Sequence, residues 1–415
     1  MSDERRKRGR EKKSLASNLA AATAPRRKSK ATPHDNTLKP PRAASRPSKP
    51  TRPRGEFDFI ESVRLRASRP RKGQAHSSLI THHSSLLVGI GDDAAVFRSG
   101  AKSDTVISAD LLVEDVDFRL KTFAPADIGH KALAVSLSDI AAMGARPRWA
   151  LLSVGVPTKI WESDFLDEFY EGFFRLAREH KVALVGGDVS RTPDRVVVDS
   201  IVLGEVARGR AVLRSGARVG DQIFVTGSLG GAAAGLHLIE GADTQTNERE
   251  RRRRLSGAGE LVERQTRPAP RVGWGALLGG RGLATAMIDV SDGLASDLGH
   301  LCRQSGVGAR VDSDALPINR LLTDRRSLRR VPRAEELRRR AEWFATQGGE
   351  DYELLFTVSP RDAAKLPKQL GGVPASRIGE IRERRFGMQI VRGGKAHAFE
   401  AQGFDHFSGR RRRRN

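Results

Sequence analysis

The residues best suited to chemistry in this chain lie at 289–293, Asp289-Val290-Ser291-Asp292-Gly293. An apolar run at 283–288 leads in and a helical run at 294–305 leads out, so two carboxylates and a hydroxyl stand where a strand turns into a helix. Gly293 relieves the backbone at that turn. Gly89-Ile90-Gly91-Asp92-Asp93, Gly186-Gly187-Asp188 and Gly348-Gly349-Glu350-Asp351 repeat the design, and Asp110 and Asp139 lie in similarly apolar settings. These segments are expected to converge on one acidic pocket. Carboxylates cannot hold phosphates directly, so such a pocket must work through divalent metal.

Asp93, Asp110, Asp139, Asp188, Asp289 and Asp292 are the candidate ligands, and their motifs contain neither His nor Cys. An all-oxygen set suits a hard cation, Mg²⁺ above all, whereas zinc would want His or Cys. Paired acids also serve glycoside hydrolysis, but that chemistry wants two acids and aromatic platforms, and aromatics are 5% of this chain. Two unit charges 4 Å apart cost about 4 kcal/mol at an effective dielectric near 20. Transfer between two phosphates multiplies that several-fold and needs cations on both partners. Basic side chains are then required only at the edges, with Arg214 and Lys131 as candidates.

Elements must bring these acids together. Residues 86–97 read as strand, turn, strand, and 106–110 as a strand with Asp110 at its end. Helical periodicity over 127–143 stops at Gly144 and Pro147 and carries Asp139 in its last turns. A strand over 149–156 precedes a helix capped by Ser163, with Phe165, Leu166, Phe169, Phe173 and Leu176 on one face and Tyr170 beside them. Residues 182–185 read as a buried strand ending at Gly187-Asp188, and 196–206 as another strand. No Gly-x-Gly-x-x-Gly joins a strand to a helix, so a dinucleotide fold is not indicated. A second domain begins near Gly209, with strands at 222–226, 307–311, 352–358 and 377–381. Its glycine-rich stretch 227–235 resembles a phosphate cradle but lacks the Gly-Lys-Ser/Thr ending, and close backbone packing explains it equally well. Residues 322–340 read as an Arg-heavy helix with its charges in water. The alternation points to a mixed α/β chain.

Its 415 residues suffice for two domains. The net charge of +23 is unevenly spread: residues 1–54 carry 17 Lys/Arg against 4 Asp/Glu, 410–414 are all Arg, and 248–254 hold five Arg and two Glu. The body is nearly neutral, so the excess belongs to the tails and an exposed insertion at 241–258. Residues 1–54 have almost no large apolar side chain and are expected to be disordered. His76, His82 and His83 lie in a polar loop and read as surface histidines. Cys302 stands alone, which fits a reducing compartment. The apolar stretch near residue 20 is short and broken by Ser and Asn, so export is not expected, and no run has the length of a membrane span.

Taken together, Gly89-Ile90-Gly91-Asp92-Asp93, residues 137–144 and 184–188, Arg214-Ser215-Gly216, and residues 288–293 and 348–353 resemble thiamine-monophosphate kinase. That family belongs to the aminoimidazole-ribonucleotide synthetase superfamily, and the resemblance runs over residues 55–408. It implies a homodimeric, cytoplasmic enzyme with an N-terminal ATP- and Mg-binding domain at 55–208 forming the dimer core, and a C-terminal domain at 209–408. It further implies direct in-line transfer of the γ-phosphoryl of ATP to thiamine monophosphate, giving thiamine diphosphate. Carried over by motif, Asp93, Asp110, Asp139, Asp188, Asp289 and Asp292 would bind several Mg²⁺, with Ser108 assisting and Ala109 offering its carbonyl. Tyr170, Gly187, Asp188, Arg214 and Ser291 would contact ATP, and Glu350 and Phe404 the thiamine moiety. The family's substrate-contacting His is replaced here by Asp117, which could pair with thiamine's cation as a substrate contact but would repel the monophosphate. Alternatives are another ATP enzyme of the superfamily and a nucleic-acid binder acting through the basic arms.

Overall fold

Alternation of buried and half-exposed side chains builds a first sheet from β1 (Leu86–Val88), β2 (Ala95–Arg98), β3 (Ser103–Val113), β4 (Arg146–Val156), β5 (Ala183–Arg191) and β6 (Val197–Ala207). The computed structural model describes residues 85–243, 258–324 and 333–401, all within Arg52–Asn415. The order is β1-β2-β3-β6-β4-β5, antiparallel throughout except for β4 beside β5.

One face of this sheet is covered by α1 (Pro125–Ala142). Every residue of α1 from 128 to 142 is buried except Asp139, the pattern of a helix enclosed on all sides. It packs on β3, β4 and β6, on α2 (Phe165–His180), and on α5 (Val272–Arg281) and β8 (Ala284–Asp289) of the second half. Such close packing needs small residues. A Cβ on Gly172 would lie 1.8 Å from the Ala126 carbonyl oxygen, and one on Gly129 1.9 Å from that of Phe169. Gly172→Ala is therefore expected to destabilise the chain by about 3 kcal/mol, the upper end for overpacking. Urea unfolding checks this, and a loss below about 1 kcal/mol would mean that α1 and α2 separate at little cost.

The second sheet holds β7 (Gln222–Thr226), β8, β9 (Gly308–Asp312), β10 (Leu354–Val358), β12 (Val373–Arg382), β13 (Met388–Arg392) and β14 (Lys395–Ala398), with β11 (Gln369–Leu370) on β12. Its order is β14-β13-β9-β12-β7-β10-β8. β10 is buried at all five residues, and its one polar side chain, Thr357, accepts from the Ala286 amide at 3.1 Å. Around the sheet lie α3 (Gly231–Asp243), α4 (Gly259–Thr266), α6 (Leu294–Ser305) and α7 (Ala341–Gln347). Leu294, Leu298 and Leu301 seat α6 in the same core as Ile288 and Leu355. The mixed α/β fold with two sheets is as the sequence indicates.

Several local expectations change. Asp110 is not at a strand end, because β3 runs on through Val113, pairing with β6 to Val197. β5 is an exposed edge strand rather than a buried one, and Gly187-Asp188 lie inside it. Ser163 caps one position early: Asp164 is the N-cap residue, and the Ser163 hydroxyl accepts from the Phe165 amide at 3.3 Å. Residues 322–340 do not make one helix. The chain is extended at Asp324 (ψ 113°), and Ala334–Arg339 and α7 are separate segments. The basic tails, the His-bearing loop, most of the 241–258 insertion and Phe404 lie outside the described residues.

Candidate functional site

Each acid reaches the centre on a different element. β8 ends at Asp289, where its ladder with β10 stops, and Gly293 (φ +109°) turns the chain into α6. Asp297, one turn into α6, accepts from the amides of Asp292 and Gly293 at 3.2 and 3.1 Å and closes the turn. The last turns of α1 bring Asp139 to the same place, and the link between β1 and β2 brings Asp93. The result is a cluster in which carboxylate oxygens of Asp93, Asp139 and Asp289 lie within 4.8 Å of one another.

Hydroxyls hold these carboxylates in position. Ser108 donates to Asp139, Ser138 to Asp289 at 2.6 Å, and Ser136 to Asp110 at 2.8 Å. Ser136 and Ser138 went unremarked in the sequence, although serines within so apolar a helix were a usable signal. Among the described residues the Arg214 guanidinium pairs with Asp93, and its amide meets the Asp92 carboxylate at 3.3 Å. Burial and like charge therefore push protons onto the site. Burial, then Asp93, raises Asp289 to about 7. Burial raises Asp110 to about 6 and, with Asp93, Asp92 to about 6. Asp139 stands well above the carboxylate range through burial and the charges of Asp110, Asp289 and Asp93.

The linkage has a definite sign. A folded-state pKa near 7 against 3.8 unfolded means that the native state holds the Asp289 proton more tightly. This contribution is fully present below pH 3.8 and is lost as pH rises through 7. In EDTA the wild type is thus expected to gain Tm relative to Asp289→Asn as pH falls from about 8 to 5. Parallel thermal melts of the two proteins check it, and a constant difference would contradict the crowded-carboxylate picture.

The other expected residues lie at varying distances from this centre. Asp188 is exposed on β5, in register with Ser153, Asp199 and Leu111 across the sheet, on the face that α1 leaves open. Ala109 is exposed on that face too. Gly187 (φ +153°) admits no side chain, since a Cβ would sit 1.9 Å from the Leu152 carbonyl oxygen. Tyr170 packs edge-on to Phe169 and tilted against Phe174 on α2, and no hydrogen bond or ring contact among the described residues links it to the aspartates. Ser291 accepts the Glu350 amide at 2.7 Å, which ties the second glycine-acid turn to the first. The Asp117 carboxylate folds back onto the Val113 amide at 2.7 Å.

Residues 348–353 divide their three acids among three tasks. Glu350 pairs with Lys131, which is fully buried and so is not the edge cation expected. Asp351 accepts from the amides of Gly230 and Ala232 at 2.6 and 3.1 Å. The glycine-rich entry to α3 is thus closed by an internal carboxylate, which resolves the cradle in favour of packing. Glu353, fully buried, binds Arg271 through two 2.5 Å contacts and Arg264 at 3.3 Å.

Residues 91–206 match AIR synthase related protein, N-terminal domain, and 218–391 match AIR synthase related protein, C-terminal domain. Thiamine-monophosphate kinase of Salmonella typhimurium is 40% identical over 322 residues, 77% of this chain and 92% of that protein. The chain belongs to the thiamine-monophosphate kinase family. The Bacillus subtilis member is 37% identical over 85% of this chain and 99% of its own length. Among solved structures, AaThiL complexed with AMPPCP and TMP matches with a TM-score of 0.66 at 28% identity, over 85% of this chain and 97% of that one. Thiamine-monophosphate kinase from Stenotrophomonas maltophilia matches with 0.60 at 37% identity, over 82% and 96%. The family's two-domain architecture is the one seen here, and the carboxylate cluster lies where α1 of the first half meets β8 of the second.

Proposed function

We propose that this family member transfers the γ-phosphoryl of ATP to thiamine monophosphate, giving thiamine diphosphate and ADP. The observation that carries the reading is the Asp93–Asp139–Asp289 cluster. Family membership and the nucleotide analogue and TMP named with AaThiL support it. The donor set fits Mg²⁺: all ligands are oxygen, their charge is under-compensated, and Asp93 Oδ2 is buried without a hydrogen-bond partner. Asp93, Asp110, Asp139 and Asp289 would hold the metals together with Asp292, with Ser108 and the Ala109 carbonyl assisting and Asp188 contributing from the open face of the sheet. Bound Mg²⁺ supplies neutralisation of the phosphate charge.

The chain's own groups supply the positioning. Ser136 and Ser138 fix two carboxylates, and Arg214 balances Asp93 while offering a cation to the nucleotide. Tyr170, Gly187, Asp188 and Ser291 complete the ATP contacts. Glu350 and Phe404 would face the thiamine moiety, with Asp117 nearby. The Val113 amide fixes the Asp117 carboxylate in place at 2.7 Å without removing its charge, so its repulsion of the acceptor phosphate remains. An acceptor phosphate oxygen attacks the γ-phosphorus in line as ADP departs, with no phosphoenzyme.

Domain limits at 208/209, a homodimer and a cytoplasmic setting belong to the same reading. The open face of the first sheet exposes Leu111 (59%) and Trp149 (40%), as a buried subunit interface would require, and sedimentation equilibrium reads the mass. Among the described residues no helix is long and apolar enough to cross a membrane. The deciding experiment incubates purified chain with ATP, Mg²⁺ and thiamine monophosphate and follows ³¹P signals. Thiamine diphosphate should form in step with ADP and cease on adding EDTA. ADP release indifferent to thiamine monophosphate would overturn the reading in favour of another enzyme of the superfamily.

A further inference from the structure

Glu350 is held more rigidly than a partly exposed glutamate requires. Its backbone is left-handed at φ +66°, a conformation that costs a non-glycine residue and persists only where the surroundings enforce it. Its amide is fixed on Ser291 at 2.7 Å. Both carboxylate oxygens are engaged, Oε1 by Lys131 Nζ at 2.5 Å and Oε2 by Gln265 Nε2. Lys131 is the unusual partner. Its side chain is fully buried, its ammonium also donates to the Asp117 carbonyl at 3.1 Å, and the Phe123 ring lies 5.5 Å away. Burying an ammonium is expensive unless a carboxylate meets it in good geometry.

A carboxylate has about four acceptor positions, and two are taken here by described residues. The Glu350 side chain keeps 27% of its surface exposed, so the remaining acceptor capacity faces outward. We propose that Lys131 is a positioning residue: it reaches from the enclosed helix α1 to lock one oxygen of Glu350, so that the rest of the carboxylate is presented to the thiamine moiety in a single orientation. This rests on the reading that Glu350 meets that moiety. Lys131 touches no substrate itself. Its fixed length on a packed helix sets where Glu350 can point.

The test uses the full chain with Mg²⁺ in four variants: Lys131→Met, Lys131→Arg, Glu350→Gln and the double variant Lys131→Met/Glu350→Gln. KM for thiamine monophosphate, KM for ATP, kcat and Tm are measured for each. Lys131→Met should raise KM for thiamine monophosphate by roughly tenfold or more, as loss of a charge-assisted hydrogen bond implies, and leave KM for ATP nearly unchanged. The double variant should match Glu350→Gln alone, because Lys131 acts only through that carboxylate. A purely structural lysine would lower Tm and move both KM values together, or its effect would multiply with that of Glu350→Gln, and either result overturns the proposal. If Lys131→Met does not fold, Lys131→Arg keeps the charge but shifts the contact, and an unchanged KM for thiamine monophosphate there overturns it equally. Should Glu350→Gln itself leave that KM unaltered, the substrate reading of Glu350 is what fails. A Glu350→Gln effect without a Lys131 effect removes the positioning role alone.

Discussion

Asp289→Asn is expected to lower turnover by about a thousandfold while the protein stays folded, the scale of losing one preorganised electrostatic group. Asp289 is the acid on which the others converge: it lies within 4.8 Å of Asp93 and Asp139 and takes the Ser138 hydroxyl at 2.6 Å. An amide preserves the shape and can still meet Ser138, but it removes a full negative charge. In the metal-free protein that removal relieves repulsion, so the variant melts no lower than the wild type at neutral pH. Lost activity with retained or raised Tm is thus the signature, read by steady-state assay at saturating Mg²⁺ and by calorimetry in EDTA. Turnover within about tenfold of wild type would place the chemistry elsewhere.

Arg271→Met is expected to cost about 3 kcal/mol of stability, near the lower end for breaking a buried ion pair. Glu353 is fully buried, and Arg271 supplies two of its contacts at 2.5 Å. Thr226 donates at 2.7 Å and Arg264 at 3.3 Å, so some compensation survives the change. The cost comes mainly from the carboxylate left behind. Removing that charge as well, in Arg271→Met/Glu353→Gln, should recover much of the loss. Urea unfolding of both variants checks this, and a double variant less stable than the single one would mean that the pair matters through shape rather than charge.

The elements around the chemistry were legible because local signals agreed. The strand-turn-helix over 283–305 has an apolar run, a glycine and a periodic helix in sequence, and the structure places β8 and α6 there. The apolar setting of Asp139 was readable too, and residues 137–144 are buried but for Asp139 itself. Where one pattern serves two outcomes, the reading slipped. An apolar strand looks alike whether it is central or waits uncovered at an edge, and β5 is the latter. Lys131 looked like a cation for phosphate because sequence does not report burial, and Asp351 looked like one more acid because its partners at Gly230 and Ala232 are 121 and 119 residues away.

The sequence by itself determined the kinds of groups available: oxygen donors without His or Cys, set on turns in apolar surroundings, in the order that marks the family. Only the tertiary structure decided which of them share a space. Asp93, Asp139 and Asp289 come from a loop, a helix and a strand end, and nothing in their spacing along the chain measures their separation. The packing of small residues around α1 sets that distance, because a fully buried helix can occupy only the position its neighbours leave for it.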